Sequence, residues 1–291
     1  MKICLSCGQR FATEGWRCPS CSKYPEVVSG FLLFAPNFAA GNDGFGARYF
    51  EKLFKVEAWN FWFRSRNKLL IWALRKYFPQ AESFFEIGCG TGYVLSGIQS
   101  KFPDLRLYGS DIFSNGPSFA EQRLSDVSLF QMDARRIPFE MEFNVIGAFD
   151  VLEHIDEDDV VLQQMFQATK FGGGIILTVP QHRFLWSVVD EYSFHKRRYT
   201  RKELIKKVKN AGFQIVCVTS FVSFLLPLML LSRMKRQLSS DKFDPLVELE
   251  IGRIKNAVLE NILTVERVFI KCGFSFPAGG SLLMIAKRNR R

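Results

Sequence analysis

The chain has 291 residues, 47% of them hydrophobic and 23% charged, with a formal net charge of +10. That length and balance suit one large α/β domain with a small appendage, and they exclude an intrinsically disordered chain. The positive excess fits an anionic partner such as nucleic acid, anionic lipid headgroups or a phosphate-bearing substrate, and equally a solvated basic surface.

The first cysteine stands at position 4, ahead of any apolar run long enough for a secretory signal, so a cytoplasmic protein is expected. Of the seven cysteines, Cys89, Cys217 and Cys272 lie in apolar surroundings where free buried thiols are ordinary. The other four form two Cys-x-x-Cys pairs, Cys4 with Cys7 and Cys18 with Cys21, ten residues apart. Each pair brings two thiolates within reach of one tetrahedral ion at about 2.3 Å. Two disulfides can be drawn from the same residues, but a reducing compartment favours zinc. Four thiolates leave no position open for water, so the zinc is expected to be structural, anchoring a zinc-ribbon-like module over residues 1–25.

Residues 31–45 mix apolar runs with Pro36, Gly41 and Gly44, and read as a linker or partly buried loop. From 49 to 78 apolar residues recur at helical spacing, with Trp59, Trp62, Phe63, Leu70 and Leu74 available to one side, until Pro79 stops the pattern. Linker and helical region together occupy 26–80. Beyond them β-rich runs alternate with helical stretches, the signature of a parallel sheet built from βα units. Strands are predicted at 83–87, 106–110, 127–132, 145–150 and 175–179. Helices are predicted at 93–101, around 119–124, at 158–171 and at 201–211, the last opened by a Thr200/Glu203 capping box. A sixth strand at 213–219, helices over 221–237 and 246–271, and a last strand at 281–287 complete a domain over 81–291 with a helical insertion at about 221–275.

The insertion opens with an apolar run over 221–231, interrupted by Pro227 and followed by Arg233, Lys235 and Arg236. A membrane-spanning helix needs about 20 apolar residues, so a transmembrane segment is rejected. A core helix over a substrate pocket, a dimer contact and an interfacial helix meeting anionic lipid all stay open.

Between the first strand and helix runs Glu86-Ile87-Gly88-Cys89-Gly90-Thr91-Gly92, where alternate glycines let the turn bend and let backbone N–H groups approach a ligand at a helix N-terminus. Asp111 ends the second strand about 20 residues on, placed to accept both hydroxyls of a ribose. Asp133 and Ala134 follow the third strand, where the aspartate can accept from an adenine amino group. The fourth runs into Asp150-Val151-Leu152-Glu153-His154. A nicotinamide-binding dehydrogenase wants Gly-x-Gly-x-x-Gly, and here the third glycine comes one residue early.

In order and spacing these segments resemble class I S-adenosylmethionine-dependent methyltransferases from about Glu86 to Val179, with weaker similarity to the C-terminus. The resemblance implies a seven-stranded, doubly wound, mostly parallel sheet with its last strand antiparallel in the edge region. It implies S-adenosylmethionine as cofactor, held by Glu86, Gly88, Gly90, Gly92, Asp111, Ile112, Asp133, Ala134 and Asp150, with Trp62 and Arg66 contributed by the helical lid. The long helical insertion departs from the family pattern.

Methyl transfer is an in-line displacement that needs alignment above all, and a base only where the acceptor is a hydroxyl. Three histidines exist. His154 follows the fourth strand at the cofactor-facing edge, His182 follows the fifth, and His195 shares a polar-aromatic loop with Asp190, Arg197 and Arg198. The loop is similar to a D…HxRRY stretch in methyltransferases of polysaccharide and lipid pathways, which points to His154, Asp190 and His195 on the acceptor side and to phosphate binding by the arginines. An Asn-Pro-Pro-Tyr motif, which serves methylation of base amines, is absent, favouring an oxygen acceptor. The leading expectation is O-methylation of a small or lipid-linked acceptor, a sugar or isoprenoid compound, with peripheral membrane contact open. A ribosomal RNA methyltransferase with an N-terminal zinc module is the runner-up, against which the greasy insertion counts, and a non-catalytic cofactor-binding adaptor is the third reading.

Overall fold

The structure, a computed structural model, describes residues 1–28, 30–39, 47–237 and 251–289. A small antiparallel ribbon, β1 (Lys2–Ile3) with β2 (Arg10–Phe11), opens the chain. There follow β3 (Glu26–Val28), β4 (Phe31–Leu33), α1 (Ala47–Val56), α2 (Phe61–Tyr77), β5 (Ser83–Ile87), α3 (Tyr93–Gln99), β6 (Arg106–Asp111), α4 (Asn115–Ala120) and β7 (Ser128–Gln131). The second half brings β8 (Phe143–Phe149), α5 (Asp158–Ala168), β9 (Thr169–Pro180), α6 (Val188–Tyr192), α7 (Arg201–Asn210), β10 (Gln214–Phe221), α8 (Leu226–Gln237), α9 (Arg253–Lys271) and β11 (Ser281–Lys287).

The large sheet has the order β10-β11-β9-β8-β5-β6-β7-β4-β3. Strands β4 to β9 pair in parallel wherever they are neighbours, while β11 runs antiparallel to both β9 and β10, and β3 to β4. Both faces of the central strands are covered, which is why they read as apolar runs instead of alternating with polar residues. Successive residues of β5 serve opposite faces: Phe84 belongs to the core cluster that contains Leu69, Leu70, Leu95, Ile98 and Leu263, and Phe85 to the one that contains Val161, Leu162, Met165, Leu204 and Val208. A parallel sheet gathers the C-terminal ends of its strands, and the loops after β5, β6, β7, β8 and β9, along one edge.

Three expectations are corrected. The 31–45 stretch is not simply a linker, because Phe31–Leu33 joins the sheet as β4 and, with β3, extends it from seven strands to nine. An uncovered β7 would expose unpaired backbone groups. Instead Leu32 and Leu33 pair with Phe130 and Gln131, and the Gln131 amide brackets Ala35, donating to its carbonyl at 2.8 Å and accepting from its N–H at 3.1 Å. Residues 40–46 of that expectation lie outside the described residues. The helix expected over 49–78 is two helices, broken where the Asn60 side chain caps α2 by accepting from Trp62 N at 2.9 Å. Trp59, in the break, is 75% exposed, while Phe63, Leu70 and Leu74 are buried. The helix expected over 158–171 ends at Ala168, where the Thr169 hydroxyl donates to the Met165 carbonyl at 2.7 Å and β9 begins. The last strand, β11, is antiparallel and lies in the edge region as expected, one position in, with β10 outermost.

The insertion is tied to the lid helix. Asn256 of α9 accepts from Phe61 N at 2.7 Å and donates to Trp59 O at 2.8 Å, and Glu260 pairs with Lys68 at 2.7 Å and Arg64 at 3.3 Å. At the other end Glu266 accepts from Val222 N at 2.6 Å and Phe224 N at 2.8 Å, closing the turn after β10. The part of the expected 246–271 helix before residue 251 lies outside the described residues. Among the described residues no helix is long and apolar enough to cross a membrane.

Candidate active site

The glycine loop leaves β5 with Gly88, Gly90 and Gly92 all at positive φ, a conformation that costs a side-chain-bearing residue dearly. Space forbids substitution too: a Cβ on Gly88 would stand 2.4 Å from Val151 Cγ2, and one on Gly92 would stand 2.9 Å from Ala120 Cβ. Gly92 is the left-handed cap from which α3 starts. The loop thus packs close enough for its amides to approach both β6 and a ligand.

Asp111, at the end of β6, accepts from Gly90 N and from Phe113 N, each at 3.0 Å. Burial raises its carboxyl to about 6, with the N–H groups of Phe113, Gly90 and Ile112 pulling the other way. A carboxylate so placed, with backbone donors on its inner side, can receive hydroxyl donors from outside. Glu86 is buried on β5, and desolvation pushes its carboxyl well above the ordinary range, with Arg66 opposing that shift.

Asp133, after β7, is already engaged. Its carboxylate receives Arg135 Nε at 3.0 Å and Nη2 at 2.8 Å, and Arg135 also reaches Glu157 at 3.0 Å. Ala134 beside it is buried, and Ile112 is half-buried. Across the edge Asp150, in the left-handed region at φ 58°, forms an ion pair with Arg66 of the lid. That guanidinium lies 4.4 Å from the Trp62 ring centroid, so lid and fourth-strand loop meet through one stacked, charged contact.

Sequence spacing gave no hint of Glu57, the residue that latches α1 to the glycine loop. Its buried carboxylate accepts from the Thr91 hydroxyl and from Arg123 at 2.7 Å, and Arg123 covers the Phe54 ring at 4.0 Å. Its partners stand 34 and 66 residues away, beyond any local pattern.

The structure brings together His154, Asp190 and His195, the residues expected to face an acceptor, and adds Glu153 and Arg198. His195 Nδ1 lies 2.9 Å from Asp190 Oδ1, and Arg198 clasps the same carboxylate through Nε at 2.7 Å and Nη2 at 3.1 Å. Burial raises the Asp190 carboxyl, but the hydrogen bonds from His195 and Arg198 outweigh it and hold it at about 2. A carboxylate at Nδ1 keeps the ring proton there and leaves the Nε2 lone pair on the side of Glu153, 4.0 Å from its Oε1. The His154 ring meets His195 edge-on at 4.8 Å, and burial, followed by the proximity of His195, lowers it to about 4. His182 does not join this group; it stacks on Phe184 at 4.8 Å. The loop arginines have carboxylate partners instead of an open phosphate site, since Arg198 is buried against Asp190 and Arg197 pairs with Asp158 at 3.0 Å.

The four N-terminal cysteines also converge, in a module that the loop after β7 touches where Arg136 donates to the Leu5 carbonyl at 2.8 Å. Their sulfurs lie within 4.8 Å of one another, with Cys4–Cys21 and Cys7–Cys18 each at 3.6 Å. A tetrahedron of thiolates about 2.3 Å from one ion spaces its sulfurs at roughly 3.8 Å, so the set fits a metal. The two knuckles match: Gly8 N donates to Cys4 O at 2.8 Å and Ser22 N to Cys18 O at 2.9 Å. Trp16, from the loop between the knuckles, packs edge-on against Phe34 at 4.6 Å and Phe139 at 5.3 Å, seating the module on the β4–β7 edge.

A family model described as "Methyltransferase domain" matches residues 57–218. The Biotin biosynthesis bifunctional protein BioHC of Teredinibacter turnerae is 25% identical over 158 residues, 48% of this chain and 28% of that protein. The Malonyl-[acyl-carrier protein] O-methyltransferase of Priestia megaterium is 23% identical over 104 residues, 35% of this chain and 38% of that protein. The chain therefore spans well under half the length of the curated relatives it matches. Among solved structures, Phosphoethanolamine N-methyltransferase 2 of Haemonchus contortus with S-adenosyl-L-methionine aligns with a TM-score of 0.53 at 17% identity, covering 77% of this chain and 53% of that one, a likeness of fold.

Proposed function

The chain belongs to the class I S-adenosylmethionine-dependent methyltransferases, and on that premise we propose that it methylates an oxygen of a small or lipid-linked acceptor, a sugar or isoprenoid compound. S-adenosylmethionine, when bound, supplies a methyl group on a positively charged sulfur. The chain's own residues then have three tasks, namely to hold the cofactor, to align the acceptor and to manage the acceptor's proton. Gly88, Gly90, Gly92 and Asp111 fit the first task by their backbone approach and by the outward face of the carboxylate. Trp62 and Arg66, on the helix braced by the insertion, fit the first task as well, as a cover over the cofactor that excludes water.

The observation that carries the oxygen reading is the Asp190–His195 pair, whose Nε2 lone pair stands beside Glu153 at the edge where the cofactor loops converge. A hydroxyl acceptor must lose a proton on methylation, and an oriented imidazole beside the reaction site is suited to that. The Priestia megaterium relative, named as an O-methyltransferase, points the same way. The apolar faces of α8 and α9, with Leu228, Leu231, Ile254 and Val258 exposed, favour a greasy acceptor and a peripheral membrane contact. We assign a structural zinc to Cys4, Cys7, Cys18 and Cys21.

The test is transfer of radiolabelled methyl from S-adenosylmethionine into cell extract, divided into RNA, protein, aqueous and solvent-extractable fractions. Label in the solvent or sugar fraction supports the proposal. Label in RNA replaces it with the RNA reading, and label nowhere favours a silent cofactor-binding adaptor.

A further inference from the structure

Glu153 is fully buried, and among the described residues neither of its carboxyl oxygens meets a hydrogen-bond donor. A carboxyl in that condition is costly, and the fold spends no donor on it. Its neighbours are metal-ligand types. One carboxyl oxygen of Glu153 and one ring nitrogen each of His154 and His195 lie within 4.8 Å of one another, with His195 Nε2 4.0 Å from Glu153 Oε1. Donors 4.0 Å apart are too far for a hydrogen bond, and a closure of about half an ångström brings them to the roughly 3.3–3.6 Å that separates ligands about 2.0–2.2 Å from a tetrahedral ion.

We propose that Glu153, His154 and His195 form a divalent-cation site at the acceptor end of β8. The ring nitrogen facing Glu153 is the one left without the proton, because Asp190 holds Nδ1, and a carboxylate behind a ligating histidine is the usual means of fixing its tautomer and orientation. Arg198 in turn fixes Asp190. Asp150, the other carboxylate of the segment, stays out of the set because it is paired with Arg66. Two imidazoles and one carboxylate leave positions open for solvent and substrate, a donor set suited to Mn2+, Fe2+, Co2+ or Zn2+.

The site rests on the oxygen-acceptor reading and deepens it. With Nε2 of His195 engaged as a ligand, the cation replaces the imidazole in managing the acceptor's proton: a hydroxyl taking an open position on the cation becomes more acidic, its proton leaves to solvent, and its oxygen is held for displacement at the methyl carbon. The carbon–oxygen bond forms as the carbon–sulfur bond breaks, with no change in the charge of the ion.

The test is Mn2+ binding to the full chain by electron paramagnetic resonance, without substrate. Mn2+ takes carboxylate and imidazole in preference to thiolate, so the cysteine cluster does not compete. The expected result is saturable binding, with pulsed spectra showing nitrogen couplings from imidazole, weakened about 100-fold in Glu153→Gln and at least tenfold in Asp190→Asn. Nitrogen couplings in the unmutated protein need no variant, so a misfolded substitution leaves the test intact. No binding, binding without nitrogen coupling, or equal binding by a folded Glu153→Gln overturns the site. Because this readout involves no methyl transfer, O-methylation without Mn2+ binding would sink the cation alone. Mn2+ binding beside an N-methylated product would keep the cation and sink the oxygen reading.

Discussion

Replacing Asp111 by Asn keeps the shape of the side chain and removes its charge, which isolates what the carboxylate contributes to cofactor binding. In the free protein Gly90 N and Phe113 N both donate to it at 3.0 Å, so an amide there must set its NH2 against one of those donors. Lost charge-assisted hydrogen bonds to a ribose cost about 2 kcal/mol, which weakens S-adenosylmethionine about thirtyfold. The pH dependence carries a further signature. Burial raises the free carboxyl to about 6, and ribose hydroxyls recognise the ionised form, so affinity is complete above pH 7 and falls as pH drops through 6. Between pH 8 and pH 5 the loss approaches about tenfold in the parent protein and vanishes in Asp111→Asn. Titration calorimetry with S-adenosylmethionine across that range reads both effects. An affinity within twofold of the parent, or an unchanged pH profile in the variant, refutes the ribose role.

Three further outcomes are expected. His195→Gln should lower kcat by about 100-fold to 10,000-fold while leaving cofactor affinity unchanged by calorimetry, and an unaffected kcat removes His195 from the chemistry. Gly88→Ala forces a Cβ to 2.4 Å from Val151 Cγ2 and should cost about 1–3 kcal/mol in urea unfolding, with the steric share regained in a Gly88→Ala/Val151→Ala double variant. A neutral Gly88→Ala would show that the loop yields. Cys18→Ser should lose bound zinc by elemental analysis and expose the first 25 residues to proteolysis while the sheet domain keeps its cofactor affinity; retained zinc argues against the cluster.

The central sheet was legible because its determinants are local and repeated. Buried parallel strands announce themselves as short apolar runs such as Ile175–Val179, and the capping box at Thr200 and Glu203 marks a helix start with mutual hydrogen bonds. The glycine loop and Asp111 were legible because a turn of that tightness constrains residue type. Residues 31–33 were misread because three apolar residues among loop formers carry no period, and only a free β7 edge together with the Gln131 bracket makes them a strand. The break at Asn60 was hidden for a related reason, since flanking helices share one apolar pattern and the cap is a single side chain. Glu57, Arg123 and Arg198 were not seen in their roles because burial of a paired charge depends on partners brought together by the fold. Glu153 stood in view beside His154, yet its lack of donors is a property of three dimensions.

Transfer of a methyl group to oxygen is read by supplying S-adenosylmethionine with a 13C-labelled methyl group to the enzyme and its extracted acceptor and recording the product's carbon spectrum. Oxygen methylation gives a new methoxy resonance that is absent with His195→Gln. An N-methyl or C-methyl resonance instead, or no enzyme-dependent resonance at all, contradicts it.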